Sequence, residues 1–325
     1  MKKYHAMILL VITIFLNGCN EEKISIPNNM NDSVMISHLK EPIMSFIDED
    51  TFEVATSTLP YRITAMAKIS PNSVVTSGEQ VEHLHLLDLE NGHISELHKS
   101  GIGVNELLYQ ADANLLFFAN SEEHTVGILD VNSRDVIANV PVGHVPIAMT
   151  LDSTGKLLYV VNSEDATVSV LDIHAEKVVN SISIMTRPNG VFFDGEYLWI
   201  GGHGEYGTLN KYVILYDPTS GEEVDRIEVG LMPIAIYSDR SSNVVYVICH
   251  GSNTVVKLDV KERTVIDSVE VDANPYAING DEANLYVTSI DGNTLSIINK
   301  EDFHVVKKVQ LEDGPYRVIL GENNE

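Results

Sequence analysis

An aspartate recurs along this chain at nearly constant intervals. Asp48, Asp88, Asp130, Asp172, Asp217 and Asp259, with Asn299 in the seventh place, are separated by 40, 42, 42, 45, 42 and 40 residues. Prolines keep the same beat: Pro60, Pro146, Pro188, Pro233, Pro275 and Pro315 are each expected just before a first strand, with Val104 in the one slot that lacks proline. Between the markers lie short runs of β-formers divided by turn residues, as in IAMTL, LLYVV, TVSVLD and KVVNSI between Val142 and Ile184. A four-stranded meander of this kind leaves both faces of a small sheet open to water, so it persists only when copies stack against it.

A period of about 40 residues with four strands per copy is the signature of a propeller blade. Six copies are complete, and the seventh is divided between the chain ends: Gly314-Pro-Tyr-Arg-Val-Ile-Leu320 supplies a first strand, while Val34 to His38, Ile43 to Ile47 and Phe52 to Thr56 supply the other three. The expected fold is therefore all-β, a seven-bladed β-propeller over residues 32–325 with four antiparallel strands per blade. Closing the last blade with one C-terminal and three N-terminal strands removes the open edges that invite aggregation. A six-bladed ring with a stray N-terminal hairpin is the structural alternative.

The motifs Leu158-Tyr-Val-Val-Asn162, Val245-Tyr-Val-Ile-Cys249 and Leu285-Tyr-Val-Thr-Ser289, each followed five residues later by Thr-Val or Thr-Leu, resemble the YVTN family of β-propeller repeats. The resemblance spans nearly the whole chain after residue 31 and implies the fold without implying one function, since that family holds secreted, periplasmic and surface proteins of unrelated roles. The first copy, Leu59 to Leu97, departs most, with Val-Val-Thr-Ser-Gly78 for the strand motif.

Lys2 and Lys3 precede an apolar run from Ala6 to Leu16, too short for the roughly 20 residues of a spanning helix. Residues 1–18 read as a signal peptide. Its end, Leu16-Asn-Gly-Cys19, resembles a bacterial lipobox, which implies a diacylglyceryl anchor on Cys19 and an extracytoplasmic, membrane-held protein. Residues 19–31 carry acids, asparagines and Pro27 with little apolar periodicity and are expected to form a flexible tether.

The net charge of −26 becomes −28 once Lys2 and Lys3 are removed with that peptide. Such a surface repels nucleic acid, so no nucleic-acid partner is expected. With Cys19 acylated, Cys249 has no disulfide partner, and stability must come from sheet packing.

The top face of a propeller is the one at which each first strand begins and each second strand turns into the third. Residues expected nearest its mouth are Tyr61, Arg62, Asn105, Glu106, His144, Arg187, Asn189, Met232, Asn274, Tyr276, Tyr316 and Arg317. The two Pro-Tyr-Arg motifs fall in neighbouring blades, so Arg62 is expected beside Arg317. Paired guanidinium groups could bind a carboxylate or another anion. Alternatively each arginine neutralises a local acid such as Glu41 or Asp313, the simpler of the two accounts.

Blade four carries a glycine-rich insertion, Gly201-Gly-His-Gly-Glu-Tyr-Gly-Thr-Leu-Asn210, of the kind that holds binding functions on rigid scaffolds. His203 and His250 occupy equivalent places in successive blades, with His144 inward on blade three; three imidazoles on one rim could hold zinc or copper, but no local pair has ligand spacing and no metal site is assigned. The chain has no Gly-x-Ser-x-Gly, Cys-x-x-Cys-His or His-Glu-x-x-His motif, and no cofactor or catalytic residue is assigned. The sequence thus reads as a lipid-anchored binding or scaffold module for a protein or small polar ligand. The other reading is an extracytoplasmic hydrolase, lactonase or oxidoreductase accessory subunit with its site at the mouth.

Overall fold

The computed structural model describes residues 22–27, 33–239 and 242–321. The signal peptide expected over residues 1–18 and the expected anchor Cys19 lie outside these residues. Seven antiparallel sheets are arranged in a ring, six of four strands and one of five. In blade three the strands are Pro146–Leu151, Leu157–Asn162, Thr167–Asp172 and Lys177–Ser183, paired in sequence order. Blade seven pairs Pro315–Ile319 with Ser33–His38, which continues to Ile43–Asp48 and Val54–Thr58. Every first strand touches the first strand of the next blade, and Pro315–Ile319 touches Ala65–Ser70 of blade one, so the ring closes.

The core is divided into seven apolar clusters, one between each pair of neighbouring blades. Strand periodicity explains why. In Leu157–Asn162, Leu158 and Val160 face blade two, while Tyr159 and Val161 face blade four. Both sets are buried, so second strands read as continuous apolar runs rather than alternating ones. Outside blade one the fourth strands are edges facing water, and alternation returns in Val136–Pro141 and Lys177–Ser183.

The recurrent aspartate ends each third strand and builds the turn after it. Asp217 Oδ1 accepts from the backbone N–H groups of Thr219 and Ser220, both at 2.8 Å, and Asn299 Oδ1 does the same for Glu301 and Asp302 at 3.0 and 2.9 Å. Four residues after each marker the chain turns left-handed, at Phe52, Gly92, Arg134, Glu176, Gly221, Arg263 and Phe303. An Asx-capped turn that tolerates almost any residue at that position needs the carboxamide or carboxylate and little else.

Three expectations are corrected. The first strand of blade one is Ala65–Ser70 and does not start just after Pro60: Ala65 pairs with Ser77 as Ala148 pairs with Val161 in blade three, each partner lying eleven residues before its recurrent aspartate. Pro60, Tyr61 and Arg62 therefore lie ahead of the strand. By sequence Asp194-Gly195 suits a two-residue hairpin in blade four, but the loop runs over four residues, 194–197, with Asp194 Oδ1 accepting from Glu196 and Tyr197 N–H, both at 2.7 Å. Finally, residues 22–27 are no free tether. Glu22 and Lys23 add a fifth strand against Ile94 and His93 of blade one, Ile24 is buried, and the Ile24 N–H donates to the Gly92 carbonyl at 2.9 Å.

Candidate functional site

The first strands of blades two to seven line a cavity of about 440 Å³ on the ring axis. Its wall is divided. Ile147, Met149, Ile234 and Ile236 of blades three and five make one side mostly apolar, with Asn189 of blade four the polar residue among them, and Asn105, Glu106, Tyr276, Tyr316 and Arg317 of blades two, six and seven gather on the other. Each of these polar residues is the second or third of its strand, where the closely packed first strands leave room only toward the axis.

Arg317 reaches across blade one. Its Nε donates to the Thr64 carbonyl at 3.1 Å, and its Nη2 donates to the Asn105 carbonyl at 2.8 Å and lies 2.9 Å from Glu106 Oε2. Burial in the channel pushes the Glu106 carboxyl above its usual range, only partly offset by Arg317. For Arg317 burial disfavours the charge, but Glu106 and, after it, the Tyr316 and Tyr276 phenols together more than compensate and hold the guanidinium protonated. Tyr276 and Tyr316 stack with ring centroids 4.5 Å apart and share a hydrogen bond of 3.1 Å between their hydroxyls. Burial, then the neighbouring Tyr316 phenol, raises the Tyr276 pKa. This is a set of neutral donors and acceptors around one committed ion pair.

The paired-arginine anion site does not form. Arg317 lines the channel, whereas Arg62 sits on the exposed rim, 3.7 Å from Glu79 and 3.4 Å from the Leu39 carbonyl. A three-residue offset of the Pro-Tyr-Arg motif is the cause: Met66 pairs with Thr76 as Val318 pairs with Ile36, each partner lying twelve residues before its recurrent aspartate, so the residue of blade one equivalent to Arg317 is Ala65. Tyr61 is also displaced from the mouth; its hydroxyl bonds Thr76 Oγ1 at 2.7 Å and its ring packs at a tilt against His85, centroids 4.9 Å apart. Each arginine does have its own acid, though Glu79 and Glu106 rather than Glu41 or Asp313.

The histidines divide into two groups. His203 and His250 meet edge to face at 5.9 Å, and burial, followed by Arg187, lowers the His203 pKa. His144 instead packs on His124 at 4.6 Å, and its Nδ1 donates to Asp165 Oδ1 at 2.9 Å. Among the described residues no group of three or more His, Cys, Asp or Glu side chains is placed to hold a metal ion. Arg187 stacks over the exposed ring of Tyr206 at 4.5 Å, tying the glycine-rich loop to the mouth. Cys249 is buried, and burial pushes its thiol up to about 12, so it is no nucleophile.

One bonded group escaped the sequence reading. Lys300 is only 9% exposed and holds both oxygens of Asp239, at 2.7 and 2.8 Å, together with the Asp281 carbonyl, bolting blade five to blade six. The signal was weak: the residue after the recurrent aspartate is apolar in blades one, two, three and five, as Leu89, Val131, Ile173 and Val260, but it is Pro218 in blade four and Glu49 in blade seven, so a lysine there does not stand out.

No family model matches this chain, and no curated protein does. Solved structures do. A functionally unknown protein from Desulfotomaculum acetoxidans superposes with a TM-score of 0.72 at 16% identity, over 89% of this chain and 98% of that one. Hydrazine synthase of Kuenenia stuttgartiensis gives 0.65 at 17% identity, over 78% and 88% of the two chains. Apo AztD from Citrobacter koseri gives 0.60 at 13% identity, over 88% and 96%. At these identities the likeness establishes the seven-bladed propeller and leaves function to the site.

Proposed function

We propose that this chain is a lipid-anchored, extracytoplasmic binding module that takes a small, neutral, hydrogen-bonding molecule into its axial channel. The divided cavity supports this reading most directly. Its volume suits a small organic ligand, and an apolar wall facing a few convergent polar groups is the usual composition of such sites. Anions are disfavoured, because Arg317 is committed to Glu106 and to two carbonyls and the protein carries a net charge of −26. The resemblance of Leu16 to Cys19 to a lipobox supports the anchor, and two acyl chains suffice for stable membrane attachment.

The test is a thermal-shift and calorimetric screen of neutral polyols and amides against monocarboxylates, on the wild type and on an Ala148→Trp variant that fills the channel. Neutral compounds should bind the wild type and not the variant. Binding that survives in Ala148→Trp removes the channel from the reading.

A hydrolytic reading attaches to His144, whose Nδ1–H is held by Asp165 while Nε2 is left as an acceptor on the exposed top rim. Its test is separate: ester or lactone turnover should vanish in His144→Ala with channel binding unchanged.

A further inference from the structure

The ordered N-terminal segment changes what a lipid anchor would do to the whole molecule. Glu22 and Lys23 pair with Ile94 and His93 on the outer edge of blade one. Ile24 packs with Met35, Phe46, Leu87 and Ile94 in the cluster between blades seven and one. Ser57 Oγ of blade seven donates to the Ser25 carbonyl. The strap is thus fastened to two blades by backbone pairing, a buried side chain and a hydroxyl.

Gly92 carries an imprint of this docking. The position is left-handed in every blade; Phe52, Arg134, Glu176, Arg263 and Phe303 occupy it with ordinary side chains, and in blade four, which has Gly221, a Cβ would meet nothing closer than 3.1 Å. Blade one has glycine because a Cβ there would stand 2.0 Å from the Ile24 carbonyl oxygen. Conformation alone does not demand glycine at this turn; the strap does.

Only Asn20 and Glu21 separate Cys19 from Glu22. Three residue steps reach at most roughly 11 Å. From this short leash we infer that blade one's outer edge faces the bilayer, with the ring standing on its rim and the channel opening sideways, above the lipid surface. This rests on the lipid-anchor reading proposed above.

Charge on the outer edges points the same way. The edge strands of blades four and five, Glu223–Glu228 and Thr264–Glu270, each carry a net charge of −2. Those of blades seven, one and two are neutral, and Val305–Gln310 of blade six carries Lys307 and Lys308. In a ring of seven, blades four and five stand across from blade one, so the acidic edges lie farthest from an anionic bilayer when blade one is nearest. A ring lying flat would bring all seven edges equally close and gain nothing from this asymmetry.

The experiment uses the full chain, acylated in bacteria and reconstituted into phosphatidylcholine vesicles containing phosphatidylglycerol. A dye is attached at Glu96→Cys on blade one or at Ile266→Cys on blade five, both exposed sites; the native Cys249 is buried. Quenching by a nitroxide lipid should be several-fold stronger at position 96 than at 266. In a Gly92→Ala background, which displaces the strap and lengthens the leash, that contrast should collapse. Equal quenching at the two sites of a protein that floats with the vesicles overturns the orientation and leaves the anchor standing. A chain that fails to float, or floats equally well as Cys19→Ser, overturns the anchor itself. A contrast that persists in Gly92→Ala overturns the role given to the strap.

Discussion

Arg317 and Glu106 lie 211 positions apart in sequence and meet at 2.9 Å in the channel, blade seven clasping blade two across the face of blade one. The same guanidinium holds the Thr64 carbonyl of the linker into blade one. Three consecutive blades are thereby joined at the seam where the two ends of the chain meet. Hydrogen bonds to a charged donor are among the stronger ones, and here the donor closes the ring.

Arg317→Ala should therefore destabilise the protein by about 2–3 kcal/mol, somewhat below the loss typical of breaking a fully buried pair, because about a quarter of each side chain still meets water. Glu106→Gln keeps an acceptor for the guanidinium and should lose less. Thermal and urea melts of the two variants give the comparison.

A second prediction concerns Gly127, which faces Phe118 across the second and third strands of blade two. A Cβ there would fall 1.9 Å from the ring. Gly127→Ala should cost about 1–3 kcal/mol through overpacking. Adding Phe118→Leu to it should recover part of the loss, a non-additivity that a double-mutant cycle detects.

These contacts also mark how far the chain could be understood without coordinates. The aspartate spacing is sufficient for the blade count and for the split seventh blade, because each Asx turn is local and its cause lies within four residues. Proline was a poorer ruler. It is at home in a linker as well as at a strand start, so Pro60 imitated the beat while the strand began at Ala65. That single offset carried Arg62 and Tyr61 out of the expected mouth. Glu106 and Arg317 were both placed near the axis by sequence, but their partnership depends on the span of a whole blade, which no local pattern encodes. Docking of residues 22–27 was hidden for a similar reason: one buried isoleucine in a polar stretch has no periodicity to reveal it.

Stability should rise with pH over two windows. Burial holds the neutral form of His38, whose ring nitrogens bond Ser45 Oγ and the Asp313 carbonyl, and it lowers the pKa of His85 and His203 as well. Their folded values lie below the ordinary 6.5, so the unfolded chain binds more protons there, and stability present above 6.5 is lost as pH falls through the folded values. Asp48 and Asp217 have depressed values because backbone N–H groups donate to their carboxylates. Their contribution is complete above the ordinary 3.8 and is lost as pH falls below it. Calorimetry from about pH 7 to about pH 3 should show both declines. Asp48→Asn and Asp217→Asn, imitating the native Asn299, should flatten only the lower one.

The last prediction addresses closure directly. The strand Pro315–Ile319 supplies Val318 to the cluster between blades six and seven, presses Ile319 on the cluster between blades seven and one, and presents Arg317 to Glu106. Removing the chain from Gly314 onward exposes the edge of Ser33–His38 and strands Glu106 in the channel without its cation. Because each blade is buried on both sides by its neighbours, the damage cannot stay in blade seven. Trp199 is fully buried in blade four, across the ring, with its Nε1 donating to Asp194 at 2.7 Å. In the truncated chain its fluorescence should lose the single sharp unfolding transition, melting earlier and over a broader range than in the full chain. A Trp199 transition as steep and as hot as the parent's would mean that the blades hold together without closure.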